Sequence, residues 1–191
     1  MLGPIIISIP GTELSVNDHK LLSDPAIGGV ILFSENFIDK HQLQRLVRSI
    51  KDIKDPDLLI FVDQEGGRIQ RFRNDFFNLP SHRDLGRVYD QNIKNGVRSA
   101  ELTGYIMAAE LISQGIDLSF APVVDIDYGL SEVISDRAFH TDPFVVGEMA
   151  KSYIAGMVNA GMKPVAKHFP GHGAVLADSH NYQPVDSRSI S

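Results

Sequence analysis

The sequence predicts an α/β fold of the (β/α)8 TIM-barrel type, truncated here to about the first five βα units. Three observations carry this. Short apolar runs rich in Ile, Val and Phe alternate with segments of helical periodicity. Apolar character within those runs is continuous, as in parallel strands covered on both faces. Polar residues close several different strands: Asp63 the third, Asp125 the fourth, and Lys167 with His168 the fifth. Barrel enzymes build their sites at the C-terminal ends of several strands. A dinucleotide-binding open sheet would need a G-x-G-x-x-G turn after its first strand, and "IPGTELS" does not supply one.

The predicted strands are 4–9 (PIIISI), 28–33 (GGVILF), 58–63 (LLIFVD), 118–126 (LSFAPVVDI) and 163–169 (KPVAKHF). A short helix is expected near 16–23, capped by Ser15 with Asp18 three residues on. In 40–54, Leu43, Leu46, Val47, Ile50 and Ile53 recur at helical spacing with Lys and Arg opposite. A looser stripe of Val97, Ala100, Ile106, Ala109 and Ile112 predicts a helix over 97–114, with Gly115 as its C-terminal stop. Val146, Met149, Tyr153, Met157 and Ala160 predict another over 143–160. The stretch 64–96 reads as irregular, with one brief helix near 82–90. No linker, repeat or low-complexity segment interrupts the chain, so residues 1–191 read as a single domain.

Composition narrows the function. Hydrophobic residues make up 43% and charged residues 22% of the 191, an ordinary balance for a globular protein. A net charge of −6 argues against a general affinity for nucleic acid or anionic membranes. No segment approaches the roughly 18 apolar residues of a membrane span. The apolar N-terminus lacks the basic start of a signal peptide. The absence of Cys removes disulfides and thiolate chemistry and fits a reducing compartment, so a cytoplasmic location is expected.

The chemistry concentrates in "KHFPGHGAVLADSH", 167–180, which holds Lys167, His168, His172, Asp178 and His180. Such a density of titratable groups suits a loop lining a polar pocket, because buried unpaired charges are costly. Three readings compete. One is a polar loop whose histidines bond to backbone carbonyls. Another is a metal site using His168, His172, Asp178 and His180, although Phe-Pro-Gly breaks the helix that would align the first two. The third is acid–base catalysis, with Asp178 orienting the His180 imidazole and stabilising its protonated form. An ordinary His pKa of about 6.5 suits proton donation and recovery at neutral pH. Upstream, "VDQEGGRIQRF" (62–72) presents Asp63, Glu65, Arg68 and Arg71 around a Gly-Gly turn. Asp63, ending an apolar strand, is placed to accept hydrogen bonds from two adjacent hydroxyls. Arg137 in "SDRAF" becomes relevant only if its loop folds back over the strand ends; two roles are open to Asp125 and Asp127, support of that loop or a direct contact in the site.

"VDQEGGRIQRF", "KHFPGHG" and "DSHNYQPVD" together resemble glycoside hydrolase family 3, in particular its bacterial β-N-acetylglucosaminidases (β-hexosaminidases) of cell-wall recycling. The similarity runs from "GPIIISIPGTEL" and "GGVILFSENF" through "LSFAPVVDID" and "SDRAF". It implies retaining hydrolysis of terminal β-linked N-acetylglucosamine from N-acetylglucosaminyl-anhydromuramic fragments of peptidoglycan, with no cofactor and no metal. Carried over by motif, Asp63, Arg71, Arg137, Lys167 and His168 would contact the sugar, and Asp178 with His180 would form the acid/base pair.

The resemblance also implies what is missing. The family's nucleophilic Asp lies on the loop after the seventh strand, beyond Ser191, so the chain is expected to be an N-terminal portion of a catalytic barrel, inactive alone. Its outer strands would be open edges that invite self-association. Two other functions stand beside the enzyme: a non-catalytic half-barrel that binds aminosugars or a protein partner, and a metal-dependent hydrolase.

Overall fold

The computed structural model describes residues 1–188. Four parallel strands form the sheet: β1 (Ile5–Ser8), β2 (Ile27–Leu32), β3 (Leu59–Val62) and β6 (Leu118–Ser119). They lie in the order β1-β2-β3-β6, with Val30 beside Ile60 and Val62 beside Ser119. Spatial order therefore follows chain order, with a helix in every connection. A doubly wound sheet reverses its strand order at a switch point; this sheet does not, and the progression is that of a barrel wall.

Between β3 and β6 lies a small antiparallel hairpin, β4 (Gln64–Gly66) with β5 (Ile69–Gln70). Helix α1 (Val16–Leu22) starts with the expected capping box: the Ser15 hydroxyl accepts from the Asp18 amide at 3.2 Å, and the Asp18 carboxylate accepts from the Ser15 amide at 2.8 Å. Helix α2 (Lys40–Lys51) is capped by Asp39 and buries Leu43, Leu46, Val47 and Ile50, as the stripe predicted. Helix α3 (His82–Gln91) repeats the capping box with Ser81 and Asp84. Helix α4 (Ile93–Ser113) begins a turn earlier than its apolar pattern suggested, because Asn92 caps it by accepting from the Asn95 amide. Helix α5 (Pro143–Asn159) has Asp142 as its cap and Pro143 in the first turn, where a missing N–H costs nothing.

Two predicted strands are shorter than expected. Of 118–126 only Leu118–Ser119 is strand, and of 163–169 only Lys167 forms a bridge, with Val123. The two segments still run side by side: Val165 N donates to Ala121 O, Lys167 N to Pro122 O and Val124 N to Lys167 O. Pro122 and Pro164 each lack an N–H, so the ladder between them is broken. The second segment is a fifth strand in position, with an incomplete hydrogen-bond pattern. At the opposite edge β1 has a neighbour on one side only, and Ile5 and Ile6 remain 47% and 44% exposed.

The core lies between the sheet and its helices, with Val30, Leu32, Ile60 and Val62 buried against Leu43, Ile50, Met107 and Leu111. Helices α4 and α5 meet backbone to backbone. A Cβ on Gly104 would lie 2.2 Å from the Tyr153 carbonyl oxygen, and one on Gly156 would lie 1.9 Å from that of Glu101. This close approach seats Tyr153, fully buried, beneath the hairpin.

Gly156→Ala is therefore expected to lower stability by about 1–3 kcal/mol. Gly147→Ala, at an exposed position of α5 with open space around the new methyl group, is expected to raise it by about 0.5–1 kcal/mol. Denaturant unfolding of both variants checks this; similar, small effects would mean that the two helices do not pack through this contact.

Candidate active site

A cleft of about 830 Å³ opens at the C-terminal ends of the strands. Its lining includes all seven residues that the resemblance assigns to sugar contact or acid/base chemistry: Asp63, Arg71, Arg137, Lys167, His168, Asp178 and His180. Phe120, Ile69, Leu176 and Tyr182 supply apolar surface.

Asp63 directly follows β3. The next residue, Gln64, is buried, and its side chain organises the turn beyond. Its Oε1 accepts from the amides of Arg71 (2.9 Å) and Phe72 (3.1 Å), and its Nε2 donates to the Phe72 carbonyl (3.0 Å). Gln70, also buried, donates to the carbonyls of Phe72 and Phe77 and accepts from the Leu79 amide. Two neutral amides thus bond five backbone groups of 71–79, which places Arg71 at the cleft. Arg71 stands 3.7 Å from Asp63 Oδ2 and 5.6 Å above the Phe33 ring, and its Nε is a buried donor without a partner among the described residues. The hairpin turn uses Gly66 and Gly67 at φ of +117° and +55°, which side-chain-bearing residues rarely adopt.

Glu65 was visible in the sequence but not assigned to the site. Its carboxylate, 2% exposed, sits behind the cleft wall. It accepts two hydrogen bonds from Arg137, Nε at 2.9 Å and Nη2 at 2.8 Å, and pairs with Lys167. Lys167 also donates to Asp63 at 2.8 Å. Asp63 and Glu65 stand two residues apart on extended chain, hence on one face, and Lys167 bridges them. Burial alone would push the Glu65 carboxyl up. The Arg137 hydrogen bonds and the charges of Lys167 and Arg137 outweigh burial and bring it down to about 2.

Arg137 arrives on the 131–139 loop, which does fold back over the strand ends. A 3-10 turn over Ser135–Arg137 is held from outside by Arg68, which donates to Asp136 at 2.7 Å and to the carbonyls of Glu132 and Val133. From inside, His82 Nδ1 lies 2.8 Å from the Arg137 carbonyl, with its ring stacked on Phe139 at 4.2 Å. Burial, the largest influence, pushes the His82 pKa down to about 4, so His82 is neutral and donates through Nδ1.

Asp125 does not support the 131–139 loop, one of the two roles open to it from the sequence. It is buried under the 167–173 segment, 2.6 Å from His168 Nδ1, and accepts from the His172 amide at 2.6 Å. Burial raises its pKa, but these hydrogen bonds prevail and the carboxyl stays below its ordinary range. His168 Nε2 in turn lies 3.3 Å from Arg137 Nη2. Asp127 accepts only from the Gly129 amide among side-chain contacts, and its backbone N–H bonds to the His140 carbonyl. The proposed metal ligands do not converge: the His168 ring meets Asp125, the His172 ring lies 3.4 Å from the Ser131 hydroxyl through Nδ1, and His180 pairs with Asp178. Among the described residues no three His, Asp or Glu side chains are placed to hold a metal ion.

Asp178 and His180 meet across a kinked loop. Asp178 Oδ1 lies 2.7 Å from His180 Nδ1 and accepts from the His180 amide at 2.9 Å. Those hydrogen bonds, backbone first, lower the Asp178 pKa. The imidazole is 82% exposed and lines the cleft, and its Nε2 has no hydrogen-bond partner among the described residues.

A family model described as the glycosyl hydrolase family 3 N terminal domain matches residues 7–191. Beta-hexosaminidases of Nitrosospira multiformis and Aromatoleum aromaticum are each 51% identical to this chain, over 100% and 99% of it but 54% and 53% of their own length. The crystal structure of NagZ from Neisseria gonorrhoeae in complex with N-trifluoroacetyl-D-glucosamine superposes with a TM-score of 0.96 at 43% identity, covering 99% of this chain and 56% of that one. A glycoside hydrolase family 3 beta-N-acetylglucosaminidase from Paenibacillus sp. is 30% identical with a TM-score of 0.86, over 94% of this chain and 34% of its own. The chain spans about half the length of the curated relatives it matches.

The two buried groups set a pH dependence of stability. Unfolded His82 binds a proton below about pH 6.5 that the folded state refuses until about pH 4, so stability should fall over that window by about 3 kcal/mol. Glu65, lowered from 4.5 to about 2, should extend the fall from pH 4.5 toward 2. Urea unfolding from pH 7 to 3 checks this, and His82→Phe should flatten the upper limb; an unchanged slope in that variant would assign the limb to another group.

Proposed function

The chain belongs to glycosyl hydrolase family 3, and on that premise we propose that it forms the sugar-holding and acid/base side of a retaining β-N-acetylglucosaminidase. The observation that carries this reading is the single cleft in which the Asp178–His180 pair faces Asp63, Arg71, Arg137, Lys167 and His168.

Each residue has a role that its geometry supports. Asp63 spends one hydrogen bond on Lys167, and a carboxylate accepts about four, so it has capacity for two adjacent sugar hydroxyls. Lys167, Arg137 and Arg71 donate to oxygens of the same sugar. His168, with Nδ1 held by Asp125, turns Nε2 toward Arg137 and the cleft. His180 protonates the departing oxygen through Nε2, then takes a proton from the incoming water. Asp178 fixes its tautomer and stabilises the imidazolium. A retaining mechanism also needs a nucleophilic carboxylate at about 5–5.5 Å from the acid/base group. We place it in the part of the family's fold outside these 191 residues, which makes residues 1–191 the N-terminal portion of one barrel domain. The natural substrates on this reading are N-acetylglucosaminyl-anhydromuramic fragments of peptidoglycan. A cytoplasmic site of action accompanies them, in keeping with the absence of Cys. No described helix is long and apolar enough to cross a membrane.

An aryl β-N-acetylglucosaminide should be turned over by this chain extended through the remaining strands and not by the 191 residues alone. Turnover by the short chain would place the nucleophile among the acids described above. In the extended enzyme, His180→Ala should reduce kcat by about 10²–10⁴ for sugar leaving groups and much less for nitrophenolate, which needs little protonation. Equal losses for both would contradict the acid role.

A further inference from the structure

Glu65 is absent from the cleft lining, yet it determines what the lining presents. Three cations, Arg71, Arg137 and Lys167, line the cleft, and Asp63 is the lining carboxylate that Arg71 and Lys167 meet. Such a wall would attract phosphates and carboxylates, which arginine binds with its paired N–H fork. The donor count shows why it is not built for them. Of the five N–H groups of Arg137, Nε and Nη2 each give one to Glu65, Nη2 gives its second toward His168, and Nη1 gives one to the Val133 carbonyl at 3.1 Å. One N–H remains. Lys167 is likewise divided between Asp63 and Glu65, leaving one donor.

We propose that Glu65 is a specificity-determining and positioning residue: from behind the wall it occupies the Arg137 fork and a Lys167 donor, converting an anion site into a hydrogen-bonding surface suited to an uncharged sugar. The sugar half of this statement rests on the function proposed above; the anion half does not. Glu65 touches no ligand. It acts through Arg137 and Lys167, and its own backbone is braced by the Tyr153 hydroxyl, which donates to the Glu65 carbonyl at 3.3 Å.

The test is calorimetric titration of the 191-residue chain with inorganic phosphate and, separately, with N-acetylglucosamine. Glu65→Gln keeps the side-chain shape and removes the charge, so it frees the fork. Phosphate affinity should rise by about tenfold or more over the unaltered chain, the order expected for a charge-assisted pair, and the gain should shrink with added salt. It should vanish in Glu65→Gln/Arg137→Gln. A folded Glu65→Gln variant with unchanged phosphate affinity overturns the proposal, as does a gain that survives loss of the arginine. Should Glu65→Gln not fold, Glu65→Asp retains a buried charge but is too short to serve both cations; a several-fold phosphate gain is then expected, and its absence is equally decisive. A merely structural glutamate would lose stability on substitution without acquiring an anion site. If the unaltered chain binds no N-acetylglucosamine, the sugar reading falls, while the phosphate comparison still judges Glu65.

Discussion

The buried carboxylate of Glu65 is the constraint around which the cleft is organised. It gathers Arg137 from 72 residues away and Lys167 from the fifth strand position, so three distant segments are tied at one point. Burying an ionised carboxylate costs several kcal/mol, recovered only with good geometry and full hydrogen bonding. Here the geometry is bidentate on one side and an ion pair on the other. The pKa of Glu65 falls despite burial, which shows that pairing outweighs desolvation. Losing one partner of such a cluster strands a buried charge, typically at about 3–5 kcal/mol. The hairpin, the 131–139 loop and the 163–168 segment consequently behave as one unit.

Around that cluster the supporting cast is polar but uncharged, or paired. Gln64 and Gln70 satisfy the backbone of the loop that carries Arg71. His82, neutral and stacked on Phe139, holds the Arg137 carbonyl, and Arg68 grips the same loop from outside. Asp125 fixes His168 and the start of the Gly-rich segment. Arg137, Lys167 and His168, which face the cleft, are thus each held by a carboxylate that does not line it, Glu65 or Asp125, which is how a site keeps its geometry before a ligand arrives. The Asp178–His180 pair is built differently. It is exposed, and both of its hydrogen bonds run within three consecutive residues. The wall built from Asp63, Arg137 and Lys167 is a product of tertiary packing, whereas the Asp178–His180 pair is a product of local loop conformation.

That contrast accounts for how much could be read from the sequence. Helix α2 was legible because Leu43, Leu46, Val47 and Ile50 carry a strong apolar stripe, and α1 because Ser15 and Asp18 make a local capping box. The first turn of α4 was not, since its start depends on Asn92 rather than on apolar spacing. The fourth and fifth strands were too long as predicted, because apolar composition signals burial but not hydrogen bonding, and Pro122 and Pro164 interrupt the ladder. Asp125 had two roles open to it: its position at a strand end said that it would face the site, not which segment would reach it first. Glu65 had a signal, its spacing of two from Asp63 on extended chain, but nothing local tells a buried counter-ion from a solvated acid.

Taken alone, the sequence determined the alternation of strand and helix, the caps, the cluster of titratable residues in 167–180 and the family to which its motifs belong. All of these are written in contiguous residues whose periodicity or chemistry acts over one or two turns of chain. Tertiary structure alone decided the partners: that Arg137 and Lys167 share Glu65, that the His168 ring and the His172 amide both meet Asp125, and that one cleft collects all seven candidates. Those outcomes depend on which strand ends converge and which charges lose their water together, and both are set only when segments up to 104 residues apart come into contact.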